Sequence, residues 1–117
     1  MVDDSAAIRK VLQRVLRQAA IPLEQVHEAA DGPKALEKFK AERIDLVLAE
    51  IHMSKMDGLE LLGRLKATDE WRHPPVILVT TEGSQSRALE AAQLGAAGYV
   101  RKPFTVEQIR RALHEFV

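Results

Sequence analysis

Two short runs constrain this chain more than any other feature. Asp45-Leu-Val-Leu-Ala-Glu-Ile51 and Val76-Ile-Leu-Val-Thr80 are apolar at nearly every position instead of every second one. A strand with one face in water alternates in polarity; a strand covered on both faces has no such need. Both runs therefore read as strands of a parallel sheet with helices packed above and below.

The rest of the chain supplies those helices. Ile8, Val11, Leu12, Val15 and Leu16 recur at helical spacing behind Ser5, a residue suited to cap them. Asp31-Gly32-Pro33 opens a second helix carrying Ala35, Leu36 and Phe39. Met56-Asp57-Gly58 leads into a third with Leu59, Leu62 and Leu65. Ser84 to Leu94 is an Ala-rich fourth, ended by Gly95, and Thr105 caps a fifth with Val106, Ile109, Leu113 and Phe116 facing inward. Gln25–Ala30 reads as a short strand, and Gly98-Tyr-Val-Arg101 as another, stopped by Pro103. Strand and helix alternate over short connections, so residues 1–117 are expected to form one α/β domain. The order begins with a helix preceded by only Met1 and Val2. A first strand of ordinary length, about 5–6 residues, has no room there.

Composition excludes several functions. Lys plus Arg and Asp plus Glu are 17 each, which argues against binding nucleic acid through bulk charge. No apolar run approaches the roughly 18 residues of a membrane span. Met1 to Ser5 has acids and no basic stretch, so no secretory signal is expected and the location read from the sequence is cytoplasmic. The absence of Cys removes thiol nucleophiles, thiolate metal sites and disulfides. His27, His52, His73 and His114 are scattered without ligand spacing.

Open parallel sheets bind ligands outside the carboxyl ends of their strands. The polar residues at those ends are Asp3, Asp4, Glu50, Thr80 and Lys102. Carboxylates gathered together repel unless a cation neutralises them, and hard oxygen donors favour Mg²⁺ shared with phosphate oxygens. A Thr hydroxyl and a Lys ammonium opposite them suit a phosphoryl group. Asp3, Asp4 and Ser5 also read as a simple helix cap. Glu50 is harder to explain by packing, because an acid inside Leu48-Ala49-Glu50-Ile51 rarely serves it.

Val2-Asp-Asp-Ser5, Asp45-Leu-Val-Leu, Met53 with Met56-Asp-Gly58, Val79-Thr80, Gly95-Ala-Ala-Gly-Tyr99 and Lys102-Pro-Phe104 follow in order along essentially the whole chain. Together they resemble the receiver domain of two-component response regulators, most closely stand-alone, CheY-like receivers. The resemblance implies a flavodoxin-like doubly wound fold with five parallel strands in the order 2-1-3-4-5, Mg²⁺ as cofactor, and regulation by phosphorylation of an aspartate. It implies a sensor histidine kinase or phosphotransfer protein and a downstream target as partners. By the same resemblance, Asp3 and Asp4 match the Mg²⁺-holding pair and His52 a backbone carbonyl ligand. Thr80 matches the phosphoryl-binding hydroxyl, Lys102 the site lysine, and Tyr99 an aromatic switch. Output contacts map onto Gln85, Ala88, Tyr99, Arg101, Ala112 and Glu115, and Lys102-Pro103 onto a cis peptide.

Two departures stand out. Glu50 occupies the acceptor position where the family has Asp, and Ser54 replaces a common proline. One methylene longer, Glu50 should sit nearer the metal and Lys102, accept a phosphoryl group poorly, and mimic the active state in part. Most of the first strand is also absent. The Gln25–Ala30 segment then pairs directly with the Asp45 strand, or the open edge pairs with another chain, or the strand lies ahead of Met1. An altered N-terminal half with self-association is the expectation taken here.

Other classes stay open at this stage. A Mg²⁺-dependent phosphatase or Toprim-like enzyme would use the same acids, yet the chain shows no Ser/His pairing and no Gly-rich phosphate loop. A flavin mononucleotide binder needs a phosphate loop where Asp3-Asp4-Ser5 would repel the phosphate. Trp71 reads as rim packing, Met53 and Met56 as loop and core packing, and Arg110 and Arg111 as a solvated helix face.

Overall fold

The structure is a computed structural model that describes residues 1–116. Each α-helix starts where a side-chain oxygen accepts a backbone N–H that the helix leaves unpaired. Ser5 accepts from Ile8 to cap α1 (Ala6–Gln18), and Asp31 from Lys34 to cap α2 (Gly32–Ala41). Asp57 accepts from Glu60 to cap α3 (Gly58–Ala67), and Ser84 from Arg87 to cap α4 (Gln85–Gln93). Thr105 and Gln108 cap α5 (Val106–Leu113) reciprocally, and a 3₁₀ turn, His114–Phe116, follows.

Three strands, β1 (Val47–Ala49), β2 (Val76–Thr80) and β3 (Gly98–Arg101), form a parallel sheet in the order β1-β2-β3. Val47 pairs with Val76 and Ile77 with Gly98. Strand alternation then divides the core in two. Leu48, Ile77, Val79 and Val100 pack with Leu12 and Leu16 of α1 and Ile109 and Leu113 of α5. Val47, Ala49, Val76 and Leu78 pack with Ala35 of α2, Leu59, Leu62 and Leu65 of α3, and Ala91 of α4. A parallel sheet between two helical layers is the flavodoxin-like arrangement. Phe39 and Trp71 meet at 5.9 Å between ring centroids beside the second cluster, the rim packing expected of Trp71.

The amino-terminal edge is reduced to single bridges. Val2 lies between Ala29 and Ala49 and pairs in parallel with each. The spatial sequence Ala29–Val2–β1–β2–β3 therefore keeps the order 2-1-3-4-5 at the depth of one residue. The Gln25–Ala30 strand contracts to Ala29, and the Asp45–Ile51 strand to Val47–Ala49. The reason is non-local: a strand exists only where a neighbour pairs with it, and among the described residues Val2 makes the single bridge to each of these segments. Direct pairing of the two does not occur, because Val2 separates them. The 25–29 segment is instead pinned from α1, where Arg9 Nε meets Glu28 Oε1 at 2.9 Å. That guanidinium holds the Glu28 carboxyl below its usual range, and it also donates to the Asp3 carbonyl.

Phe116 corrects a smaller expectation. The α-helix stops at Leu113, and the 3₁₀ turn carries Phe116 off the inward stripe, leaving it 37% exposed.

Candidate functional site

The carboxyl ends of the strands bring Asp3, Glu50, Thr80 and Lys102 to one edge. Asp3 follows the bridging Val2, Glu50 follows β1, Thr80 ends β2 and Lys102 follows β3. Asp3, Glu50 and Thr80 are buried. Lys102 Nζ donates to Asp3 Oδ2 at 2.7 Å and faces Glu50 Oε1 at 3.5 Å. The remaining oxygens are also engaged: Asp3 Oδ1 accepts the Ser5 N–H and Glu50 Oε2 accepts the Ile51 N–H, both at 2.9 Å. Two buried carboxylates thus share one ammonium, which offsets the desolvation each would otherwise suffer. Asp3 serves the helix start and the site at once. The Lys102-Pro103 peptide is cis, as the family resemblance implied.

Asp4 is exposed and lies outside this pairing, so the structure brings together two of the three acids expected to converge. No group of three His, Asp or Glu side chains among the described residues is arranged as a metal cluster. The donor chemistry still fits a hard cation. Asp3 and Glu50 converge at one point with Asp4 next in sequence, and Mg²⁺ takes one or two carboxylates and keeps several waters.

Sequence reasoning missed Glu82. Its N–H donates to Thr80 Oγ1 at 3.1 Å, and its carbonyl accepts the Tyr99 hydroxyl at 2.7 Å. Its carboxylate accepts the Ser84 N–H at 3.2 Å and meets His52 Nε2 at 2.8 Å. Bonds from Ser84 first, then from His52, hold the Glu82 carboxyl below its usual range. Burial first, then the Glu82 and Glu50 charges, push the Tyr99 phenol up. One residue thereby ties the loops after β1 and β2 to β3. The available signal was an acid two positions after Thr80 and two before the cap Ser84. The Thr80 hydroxyl is turned to Glu82 and makes no bond with Glu50.

Glycine sets the close approach behind Glu50. A Cβ on Gly58 would lie 2.2 Å from the Glu50 carbonyl oxygen, and the Gly58 N–H donates to the Ile51 carbonyl at 2.8 Å. The intervening loop turns through Lys55 at φ 68, a left-handed conformation.

Of the expected partner face, Gln85, Arg101 and Glu115 are exposed, while Ala88 and Ala112 are half-buried. Leu89 beside them is 60% exposed. The Arg101 guanidinium lies against Gly83, where an added Cβ would come within 2.5 Å of it.

Comparison with known proteins agrees with this architecture. Residues 1–114 match the family model described as the response regulator receiver domain. The chemotaxis protein CheY-3 of Vibrio cholerae is 34% identical over 113 residues, covering 97% of this chain and 85% of that protein. The chemotaxis protein CheY of Pseudomonas aeruginosa is 32% identical over 115 residues, covering 98% and 91%. Among solved structures, CheY4 of Vibrio cholerae superposes with a TM-score of 0.85 at 31% identity, over 99% of this chain and 94% of that one. The signal receiver domain of an HD domain-containing protein from Pseudomonas fluorescens gives 0.87 at 28%, over 98% and 89%. With the sheet order, the Lys102 pairing and these likenesses in agreement, the chain belongs to the response regulator receiver family.

Proposed function

We propose that this chain is a signalling receiver in which Glu50, at the acceptor position, is not efficiently phosphorylated and partly stands in for the phosphoryl group. The observation that carries this reading is that both Glu50 oxygens are engaged, one by the Ile51 amide and one facing Lys102. In-line phosphoryl transfer depends on a freely positioned attacking oxygen. The longer side chain curls back onto its own backbone and leaves none.

The mimicry is partial. Glu50 carries one charge where a phosphoryl group carries about two, and it does not engage Thr80. Tyr99 is nonetheless drawn in by its bond to the Glu82 carbonyl. A full switch from 1:99 to 99:1 needs about 5.5 kcal/mol, more than one displaced carboxylate supplies.

Mg²⁺ would be held by Asp3, Asp4 and Glu50 with the His52 backbone carbonyl, and it would supply charge neutralisation. Lys102 would then release one of its two acids to keep the other. The partners are a histidine kinase or phosphotransfer protein and a target protein. The target meets Gln85, Ala88, Tyr99, Arg101, Ala112 and Glu115, and the module works in the cytoplasm without turning over a substrate of its own. No helix among the described residues is long and apolar enough to cross a membrane.

The test treats the wild-type chain and Glu50→Asp with a small acyl phosphate donor and Mg²⁺, read by intact mass. The aspartate variant gains a phosphoryl group and the wild type does not. A stable acyl phosphate on Glu50 overturns the reading, as does an aspartate variant that stays unlabelled. Hydrolysis of a generic phosphate ester by the wild type would favour an enzyme instead.

A further inference from the structure

The amino ends of β1 and β2, opposite the Glu50 edge, hold a cleft of about 340 Å³ between the loop that leaves α2 and the loop that leaves α3. Its walls are rings and aliphatic carbon from Phe39, Ile44, Trp71, Pro74 and Pro75. Backbone bonds hold those walls in place. The Val47 N–H donates to the Pro75 carbonyl at 3.0 Å. The Trp71 N–H donates to the Thr68 carbonyl and Lys66 Nζ to the Arg72 carbonyl, both at 2.9 Å. Phe39 and Trp71 pack on each other, yet both stay partly exposed. The polar rim carries Glu42, Asp45 and Glu70 against Arg43, with His73 beside them. Arg43 and Asp45 pair with each other at 3.2 Å, and just outside the cleft Arg72 pairs with Asp69 at 3.4 Å. Glu42 and Glu70 are exposed and enter no ion pair among the described residues. Glu42 is also the C-cap of α2, a helix end whose free carbonyls favour a cation over the acid that sits there. The cleft therefore joins aromatic walls to two unneutralised carboxylates, one from each loop.

We propose that this cleft binds an arginine side chain presented by a partner protein. The inference is independent of what Glu50 does. Aromatic rings attract a cation through their quadrupole, and the two free carboxylates add charge of the complementary sign. Of the two long side-chain cations, the guanidinium is planar and weakly hydrated, so it stacks on rings and meets carboxylates with paired donors. An ammonium is strongly hydrated and gains less from apolar walls. The volume lies at the low end of ligand pockets, which suits one long side chain and excludes a docked helix. Free arginine fits less well, because it brings a carboxylate to a rim whose Arg43 is already paired. Within a chain, the same guanidinium arrives without that charge.

Trp71 is the single tryptophan of the chain, so its fluorescence reports on the cleft. The test titrates the full chain with acetyl-Gly-Arg-Gly-amide at pH 8, above the ordinary histidine range, so that His73 adds no competing charge. Beside it run the same peptide with citrulline, which keeps the shape without the charge, the same peptide with lysine, and free L-arginine. The arginine peptide changes Trp71 emission saturably. The citrulline peptide binds on the order of tenfold more weakly, having lost its charge-assisted bonds. The lysine peptide and free arginine are also weaker. Glu42→Gln and Glu70→Gln, both at exposed positions, each weaken binding severalfold while circular dichroism and the urea midpoint stay unchanged. Absence of a saturable change in a natively folded chain overturns the proposal. So do equal affinities for the arginine and citrulline peptides, free arginine binding as tightly as the peptide, or binding that neither glutamine variant weakens. Light scattering that shows dimers dissolved by Glu70→Gln would assign the cleft to a second copy and overturn it equally.

Discussion

The two flanks of the sheet were built from similar material and reached different ends. On the β3 side, β2 and β3 pair over four residue positions from Ile77 with Gly98 to Thr80 with Arg101. Helices α1 and α5 cover one face and α3 and α4 the other, and Ile77, Leu78, Ile109 and Leu113 are fully buried. On the Val2 side, pairing is one residue deep, and Leu23 and Val26 are 39% and 38% exposed. The difference is not one of propensity, since Gln25–Ala30 carries a β-branched residue as β3 does. It is one of neighbours, because a strand's hydrogen bonds are all made to another segment. The family fold thus survives where strand ends meet the site and thins where only packing is at stake. Lys102 joins the two flanks, binding Asp3 from the open side and facing Glu50 from the closed side.

Breaking that join should have the largest effect. Lys102→Ala leaves Asp3 and Glu50 as buried acids without their shared cation, and removing one partner of a buried pair costs about 3–5 kcal/mol. Lys102 is largely buried, so solvent screening reduces this little. The expected outcome is a fall of about 3 kcal/mol or more in unfolding free energy by urea titration, with faster exchange at the Val2 amide. A loss below about 1 kcal/mol would show that the flanks are joined elsewhere.

Truncation of apolar side chains tests the comparison directly. Leu65 is fully buried on α3, and Leu65→Ala should cost about 2–5 kcal/mol. Leu23→Ala, on the open flank, should cost under about 1 kcal/mol, since a half-exposed side chain gives up little transfer energy. Equal costs, read from denaturant midpoints, would mean that the open flank is packed in solution.

How much of this was legible in the sequence follows from the range of each interaction. Caps are local, so Ser5 and Thr105 were readable as caps, and Asp31, Asp57 and Ser84 mark the other α-helix starts through bonds made within three residues. Runs buried on both faces are nearly as local, and β2 matches its expected span. The extents of β1 and of the 25–30 segment were not legible, because they depend on the partner that Val2 alone supplies. Asp3, Glu50, Thr80 and Lys102 were legible as strand-end positions. Glu82 was not, because its role rests on converging bonds from Thr80, Ser84, His52 and Tyr99 that no spacing encodes.

The open flank should also carry a pH dependence that the closed flank lacks. Burial lowers the Met1 amine from 8.0 to about 6, with smaller opposing influences from Glu28 and Arg9. Between those values the unfolded chain holds the proton and the folded chain does not. Stability therefore rises with pH across that window and levels off above it. Two pH units correspond to about 2–3 kcal/mol. Acetylation of the amino terminus should flatten the slope. Equal urea midpoints at pH 6 and pH 8 for the unmodified chain would show the amine exposed to water.

Tyr99→Phe should have the smallest effect and the most confined one. It removes the hydroxyl bond to the Glu82 carbonyl, worth about 0.5–1.5 kcal/mol, and leaves the ring packed. Glu82 keeps its bonds to Thr80, Ser84 and His52, so the loop after β2 should loosen without detaching. None of these groups is hydrogen-bonded to Val2 or Ala29. Hydrogen exchange should therefore quicken at Glu82 and Ser84 and stay unchanged at Val2 and Asp3. If exchange at Val2 quickens too, the flanks communicate through the switch loop as well as through Lys102. The contrast drawn above would then describe one coupled sheet, its thin edge sensitive to the state of the partner face.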